Sequence, residues 1–530
     1  MRNRSVRGVV RVPYIARMTR APLPWWQTAT VYQIYPRSFA DSDGDGIGDL
    51  PGIRARLDHL AWLGVDAIWL SPFYRSPMAD FGYDVSDYCD VDPIFGTLDD
   101  FDALVADAHA RGIRVVVDWV PNHTSDQHPW FQASRSSTDD PKRDWYHWRP
   151  RTPDGAPPNN WVTSWSEDGA PAWSIDPVTD EWYLHLFLPQ QPDLNWRNPE
   201  VVEAMHDVLR FWLDRGVDGF RLDVVHLIGK SEDLADDGVE FLPLPHVVLN
   251  HEPSTLPLLE GLRQVLDGYD GDRMMVGEIA LLDPAMVAEY YVEGRGLHLN
   301  FNFAPLFAPW DAAFWRANIA AVRDHIEPKG WPSWVLGNHD NPRQATRYGS
   351  EARTRTAAFL LLGQRGTPFL YAGEELGLAD AEVPEDRVVD PGGRDGCRAP
   401  IPWTPEPDHG WPGGEPWLPW PPEVERRNVA TQVADPDSIA NLYRRLLAAR
   451  RASPALHAGA QELVDAPEGV VAWDRAEGED RRRFVVNLSD APVDVASLTA
   501  GWVLELGSDG AEGGEVTTVA PDGAVLLRPA

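Results

Sequence analysis

The 530-residue chain predicts an α/β fold: a TIM (β/α)8 barrel with a small domain inserted after its third strand and an antiparallel β-sandwich at its C-terminus. Three observations carry that expectation. Eight short runs, apolar at nearly every position, alternate with segments of helical period, as buried parallel strands and their crossover helices do. Two long stretches without period interrupt the alternation, and both exceed what a βα loop requires. From about Ala460 the helical period gives way to short alternating runs.

The eight runs begin at Val31 (VYQIYPRSF), Ala67 (AIWLSPF), Arg114 (RVVVDWVPNH), Gly219 (GFRLDVV), Met274 (MMVGEI), Leu297 (LHLNFNF), Ser333 (SWVLGNHD) and Thr367 (TPFLYAGEEL). Before the third run, Thr97 is placed to cap a helix in which Phe101, Leu104, Val105 and Ala108 recur at i, i+3, i+4 and i+7. Asn198-Pro199 opens another, a cap residue followed by proline at the first helical position. Its expected apolar stripe is Val202, Met205, Leu209 and Trp212. Both helices run into an Arg-Gly pair (Arg111-Gly112, Arg215-Gly216) and then directly into a strand.

The Trp-, Pro- and Asp-rich stretch 123–196 is expected to be the inserted domain, dividing the barrel into 18–122 and 197–459. A second irregular stretch, Leu378 to about Pro436, follows the eighth run. Residues 460–530, with VVAWDR, RRFVVNLS, WVLELGS and AVLLRP, form the expected sandwich. Residues 1–17 are basic and lack the continuous apolar segment of a secretory signal. They are expected to be a disordered extension, or sequence upstream of a start at Met18.

Composition narrows the partners. A formal net charge of -34 opposes binding to nucleic acid or to an anionic membrane, both polyanions, and leaves neutral molecules or cations. Cys89 and Cys397 are too few for a disulfide framework. No apolar run reaches the roughly 20 residues of a spanning helix, so a cytoplasmic location is the default. The 24 Trp residues could stack on the C–H faces of sugars or simply fill cores.

Function in a TIM barrel collects at the C-terminal ends of the strands. Asn122-His123 ends the third run, Arg221 and Asp223 the fourth, Glu278 the fifth and Asn338-His339-Asp340 the seventh. Any one of these acids could cap a strand or pair with a base. Three at one mouth raise each other's ionisation cost, which favours chemistry over structure. Paired carboxylates without a thiol nucleophile or phosphate loop point to glycoside cleavage, one acid serving the leaving oxygen and the other attacking or activating water. Their separation, and hence the stereochemistry, is not legible in the sequence.

DSDGDGIGD, DFGYDVSDY, DWVPNH, GFRLDVV, VGEI, GNHD and GRDGCRAPIPW, in this order, resemble the α-amylase superfamily of glycoside hydrolases, and more narrowly its bacterial α-glucosidases and oligo-1,6-glucosidases. The likeness runs from about Trp25 to the end. It implies retention through a covalent glucosyl-enzyme, with Asp223 as nucleophile, Glu278 as general acid/base and Asp340 gripping the sugar hydroxyls. It implies that Arg221 orients Asp223 and keeps it ionised. Asp80, Tyr83, His123, His339 and Arg398 would line the pocket for a terminal glucose, with Phe187 and Gln191 at its rim. Phe187 could equally pack in a core, and Asp84 would support the site from behind.

The resemblance implies removal of one glucose at a time from the non-reducing end of a short oligosaccharide. Val224, directly after the nucleophile, matches the α-1,6 branch, whereas His226 and GRDGCRAPIPW match branches that cleave α-1,4 bonds. The balance favours maltose-like α-1,4 substrates, with isomaltose close behind. An α-glucosyltransferase would share every catalytic residue. A non-catalytic barrel, as in amino-acid transporter heavy chains, would lack the intact carboxylates.

One further motif stands near the beginning. In DSDGDGIGD, Asp41, Asp43 and Asp45 fill positions one, three and five of a calcium loop, Gly46 position six, the Ile47 carbonyl position seven and Asp49 position nine. Gly52 replaces the bidentate Glu at position twelve, and the loop follows a strand, so it is not an EF-hand. The resemblance implies a structural Ca2+ (or Mg2+) here; a solvated acidic turn is the alternative.

Overall fold

The computed structural model describes residues 23–164, 169–237 and 251–530, so the expected disorder of residues 1–17 lies outside the described residues. All eight expected runs contain barrel strands: β1 Val31–Ile34, β2 Ala67–Leu70, β3 Arg114–Trp119, β4 Gly219–Leu222, β5 Met274–Gly277, β6 Leu299–Asn300, β7 Ser333–Val335 and β8 Thr367–Tyr371. They are parallel and adjacent in chain order, and β8 pairs back onto β1 with Val31 opposite Phe369. Between β6 and β7 the ladder is open. There Ser333 Oγ donates to the Asn300 carbonyl at 2.7 Å.

The strands are apolar on both sides because alternate residues serve two cores. Ala67, Trp69, Val116, Val276, Val335 and Phe369 fill the barrel interior. Ile68, Leu70, Val115 and Val117 pack outward against the helices.

The helix Leu98–Ala110 begins with the expected cap, strengthened by a reciprocal bond between Thr97 and Asp100. In Pro199–Asp214 the Asn198 side chain accepts the Glu200 N–H. Its buried face is Val201, Met205, Val208, Leu209, Trp212 and Leu213, so Val201 takes the place expected of Val202, which is only half-buried. The stripe is wide and centred on Met205 and Leu209, which leaves Val202 on its margin. Gly112 and Gly216 end the two helices at φ +74° and +95°.

Within the stretch after β3, Trp148–Pro150, Glu181–Leu184 and Trp173–Asp176 form a three-stranded antiparallel sheet. Trp161, Trp173 and Trp182 are its core, so these indoles fill volume and do not face ligand. The C-terminal strands β9 Ala460–Val464, β10 Val470–Glu477, β11 Asp480–Asn487, β12 Trp502–Gly507 and β13 Ala524–Pro529 make an antiparallel sheet in the order 9-10-11-13-12. A short ribbon, Val493–Asp494 with Thr518–Val519, covers one face, and Val470, Val485, Val519 and Leu527 fill the space between.

The irregular stretch after β8 returns to the mouth of the barrel and packs against the acidic loop 41–49. Trp417 N–H donates to the Gly46 carbonyl at 2.9 Å. Gly46 has φ +85°, and a Cβ there would lie 2.4 Å from the Glu415 carbonyl oxygen. Substitution therefore meets both backbone strain and a backbone clash. Gly46→Ala is expected to cost ~1–3 kcal/mol and lower the melting temperature measurably in calorimetry; an unchanged melt would show that the two segments do not pack this closely.

Candidate active site

Arg221 lies on β4 with its side chain buried in the barrel mouth. Asp223 follows β4 and Glu278 follows β5, two neighbouring strands, so their carboxylates meet over this one guanidinium. Arg221 Nη1 donates to Asp223 Oδ1 at 2.7 Å and to Asp118 Oδ1 at 2.8 Å, and Nη2 donates to Glu278 Oε2. The N–H of Val224 also donates to Glu278 Oε2, at 3.1 Å. Val224 reaches it from φ +34°, a strained conformation for a β-branched residue.

Asp340 completes the acidic rim from the loop after β7. Its Oδ1 accepts Arg394 Nη1 at 3.0 Å and Arg398 Nη2 at 3.1 Å, and its Oδ2 lies 3.3 Å from His339 Nε2. Arg394 also binds Asp80 Oδ1 and Asp390 Oδ1, each at 2.6 Å. Asp80 in turn accepts Gln191 Nε2 at 3.0 Å, and its own N–H donates to Asp84 Oδ1 at 2.9 Å. Asp84 thus holds the turn that carries Asp80, as a supporting residue.

These groups surround a cavity of about 180 Å3 lined by Asp80, Tyr83, His123, Phe187, Asp223, Val224, Glu278, Asp340 and Arg394. Four carboxylates against one guanidinium suit a neutral polyol, or a reacting centre that becomes positive. Phe187 does both things expected of it: it lines the cavity beside His123, ring centroids 5.1 Å apart, and packs on the core of the inserted segment.

Burial sets most protonation states. It raises the Asp223 carboxyl well above its ordinary range despite Arg221, with Glu278, Asp118 and Asp340 adding to the rise. Arg221 pulls the other way, towards the ionised carboxylate, as the resemblance implies. Burial likewise pushes Asp118 up to about 7 and holds His123 down to about 4. For Asp340, burial is outweighed by the guanidiniums of Arg394 and Arg398, with Arg221 behind them, which hold it below the usual carboxylate range.

Four of the expected site residues stand behind the cavity wall. His339, Arg221, Arg398 and Gln191 are each buried at 1% exposure or less and act through the residues in front of them. Three participants escaped the sequence reading. Asp118 sits inside DWVPNH and binds Arg221, Trp69 and Tyr83. Arg394 sits inside GRDGCRAPIPW four residues before Arg398, and it is Arg394 that faces the cavity. Asp390, which binds both arginines, precedes that motif and carried no signal.

The acidic loop is separate from this cavity. Asp41, Asp43 and Asp49 each offer a carboxylate oxygen, all within 4.8 Å of one another, and an all-oxygen set fits a hard divalent cation. Asp45 stands outside the trio, exposed, and accepts the Ile47 N–H at 2.8 Å. Asp49 also caps the helix Leu50–Ala55 through Gly52 N–H.

Removing Arg394 would leave Asp80, Asp340 and Asp390 short of their shared cation. Arg394→Ala is expected to lower stability by ~3–5 kcal/mol and abolish most turnover, because Asp80 and Asp390 stay buried and Asp340 loses one of its two guanidiniums. Thermal melts and kcat/KM check this, and a variant close to wild type in both would remove Arg394 from the site.

Residues 33–459 match the family model described as alpha amylase, catalytic domain. A probable alpha-glucosidase of Rhizobium meliloti (strain 1021) is 44% identical over 499 residues, covering 88% of this chain and 90% of the relative. An oligo-1,6-glucosidase of Parageobacillus thermoglucosidasius is 38% identical over 516 residues, covering 88% and 91%. Among solved structures, the alpha-glucosyl transfer enzyme XgtA superposes with a TM-score of 0.89 at 41% identity, covering 96% of this chain and all of that one. The trehalulose synthase MutB of Pseudomonas mesoacidophila MX-45 superposes with a TM-score of 0.86 at 33% identity and the same coverage. Barrel, carboxylate mouth and kinship agree: this chain belongs to the α-amylase family and is a glycoside hydrolase.

Proposed function

We propose that the chain is a retaining, exo-acting α-glucosidase that releases terminal glucose from short α-glucosides, α-1,4-linked maltose and its homologues before isomaltose. The observation that carries this reading is the placement of Asp223 and Glu278 on adjacent nitrogens of Arg221, at the base of a cavity with room for one sugar ring. Asp223 attacks the anomeric carbon to form the glucosyl-enzyme. Glu278 gives its proton to the departing oxygen, then takes one from the incoming water. Asp340, held ionised by two arginines, grips the ring hydroxyls and stabilises the positive charge that develops. Asp41, Asp43 and Asp49 would hold a Ca2+ or Mg2+, which would brace the mouth from outside.

Kinship with a glucosyl transfer enzyme supports a second reading, in which a sugar or alcohol replaces water as acceptor. The linkage cues stay divided between Val224 and His226, and the named relatives are themselves divided between alpha-glucosidase and oligo-1,6-glucosidase.

Asp223→Asn is expected to lower kcat on the order of 10^4-fold with the fold intact, since an amide is a very poor nucleophile. Glu278→Gln in the same series should hurt maltose far more than an aryl glucoside, whose leaving group needs little protonation. Equal losses on both substrates would take Glu278 out of the acid/base role. For the metal, chelator is expected to cost ~1–3 kcal/mol and lower the melting temperature by a few degrees. A melt indifferent to chelator, with no metal in the purified protein, would dispose of the site.

A further inference from the structure

The His339 ring is wholly buried and contacted on both nitrogens. Nδ1 lies 2.7 Å from Gln33 Nε2, on β1. Nε2 lies 2.6 Å from Tyr83 Oη and 3.3 Å from Asp340 Oδ2. The Tyr35 and Tyr83 rings lie nearly parallel to it, and Trp69 meets it edge-on. Arg398 Nε and Cys397 Sγ reach the His339 carbonyl and not the ring. Arg221 and Arg394 also lie near, and Asp118 meets the far side of Tyr83 Oη. Burial, supported by Arg398, Arg221 and Arg394, outweighs the pull of Asp340 and keeps the ring neutral. It therefore carries one proton, and its place is a matter of geometry.

Asp340 decides that place. Its carboxylate is fed by two guanidiniums on Oδ1, so it has no proton to offer. A bare Nε2 would set a lone pair against Oδ2; a protonated Nε2 donates to it and to Tyr83. Nδ1 must then accept, and a buried acceptor needs a donor. Gln33 presents its amide N–H there, and the same nitrogen reaches Ser71 Oγ at 3.2 Å. The opposite amide orientation would force the ring proton onto Nδ1. The orientation adopted leaves Gln33 Oε1 buried without a hydrogen-bond partner.

We propose that Gln33 is a positioning residue that fixes His339 as the Nε2–H tautomer, so that the ring donates towards the wall shared by Asp340 and Tyr83. This rests on the reading of Asp340 as the carboxylate that grips the sugar. The consequence is a directed chain: Gln33 donates to His339, His339 to Asp340 and Tyr83, and Tyr83 to Asp118 Oδ2 at 3.2 Å. With the proton on Nδ1, Tyr83 would have to donate to the ring and release Asp118, while Asp340 would face a lone pair. An uncharged side chain on the first strand thus sets the hydrogen-bond polarity of a pocket built on the third, fourth and seventh.

The test combines nuclear magnetic resonance of the full chain, its histidine rings labelled with 15N, with kinetics on p-nitrophenyl α-glucoside. Loss of one signal set in His339→Asn assigns the ring. Wild type is expected to carry its proton on Nε2, and Gln33→Glu to draw a proton to Nδ1. Gln33→Met, of similar volume but without the donor, is expected to lower kcat roughly 10- to 100-fold, as loss of an orienting partner does. KM should change by less than about threefold and the melting temperature by only a few degrees. A wild-type ring protonated on Nδ1, or a Gln33→Met variant within twofold of wild type in kcat/KM, would overturn the proposal. A wild type protonated on Nε2 that turns over no α-glucoside would sink the functional reading and leave the tautomer standing.

Discussion

One buried guanidinium organises the mouth of this barrel. Arg221 sits at 1% exposure and contacts Asp118, Asp223 and Glu278, carboxylates from three consecutive strands or strand ends. A buried cation without partners, or buried carboxylates without a cation, would be prohibitively costly. Their mutual dependence fixes the spacing of Asp223 and Glu278. The strands supply the rigidity: their registers are set by ladders from β6 round to β7, so the positions of Arg221, Asp223 and Glu278 follow from the barrel and not from a loop.

The opposite wall depends on a second set of charges. Arg394 and Arg398, from the stretch after β8, meet Asp80, Asp340 and Asp390, which come from three separate parts of the chain. That stretch also seals the acidic loop: Trp417 binds the Gly46 carbonyl, and its ring lies 6.2 Å from Tyr35, itself beside His339. The acidic loop and the carboxylate-lined cavity are thus connected through packing.

Kinship and geometry speak at different levels. The relatives are named alpha-glucosidase, oligo-1,6-glucosidase and alpha-glucosyl transfer enzyme, so kinship extends over hydrolases and a transferase alike. Val224 and Phe187 line the cavity and carry no charge.

The sequence by itself determined the barrel, because strands buried on both faces read as uninterrupted apolar runs and their helices as period-3.6 stripes with caps and terminal glycines. It also determined which strand ends carry acids, since motif and strand coincide there. The phase of the Pro199–Asp214 stripe needed the tertiary structure, because Val201 and Val202 are equally apolar and only packing chooses between them. So did the choice between Arg394 and Arg398: both lie in one motif, and exposure to the cavity depends on how a long loop crosses a distant mouth. Gln33 carried no local signal, being a polar residue within an apolar run, and Asp118, although the first residue of DWVPNH, is an acid inside a strand. Their partners lie on other strands, and only closure of the barrel brings them together.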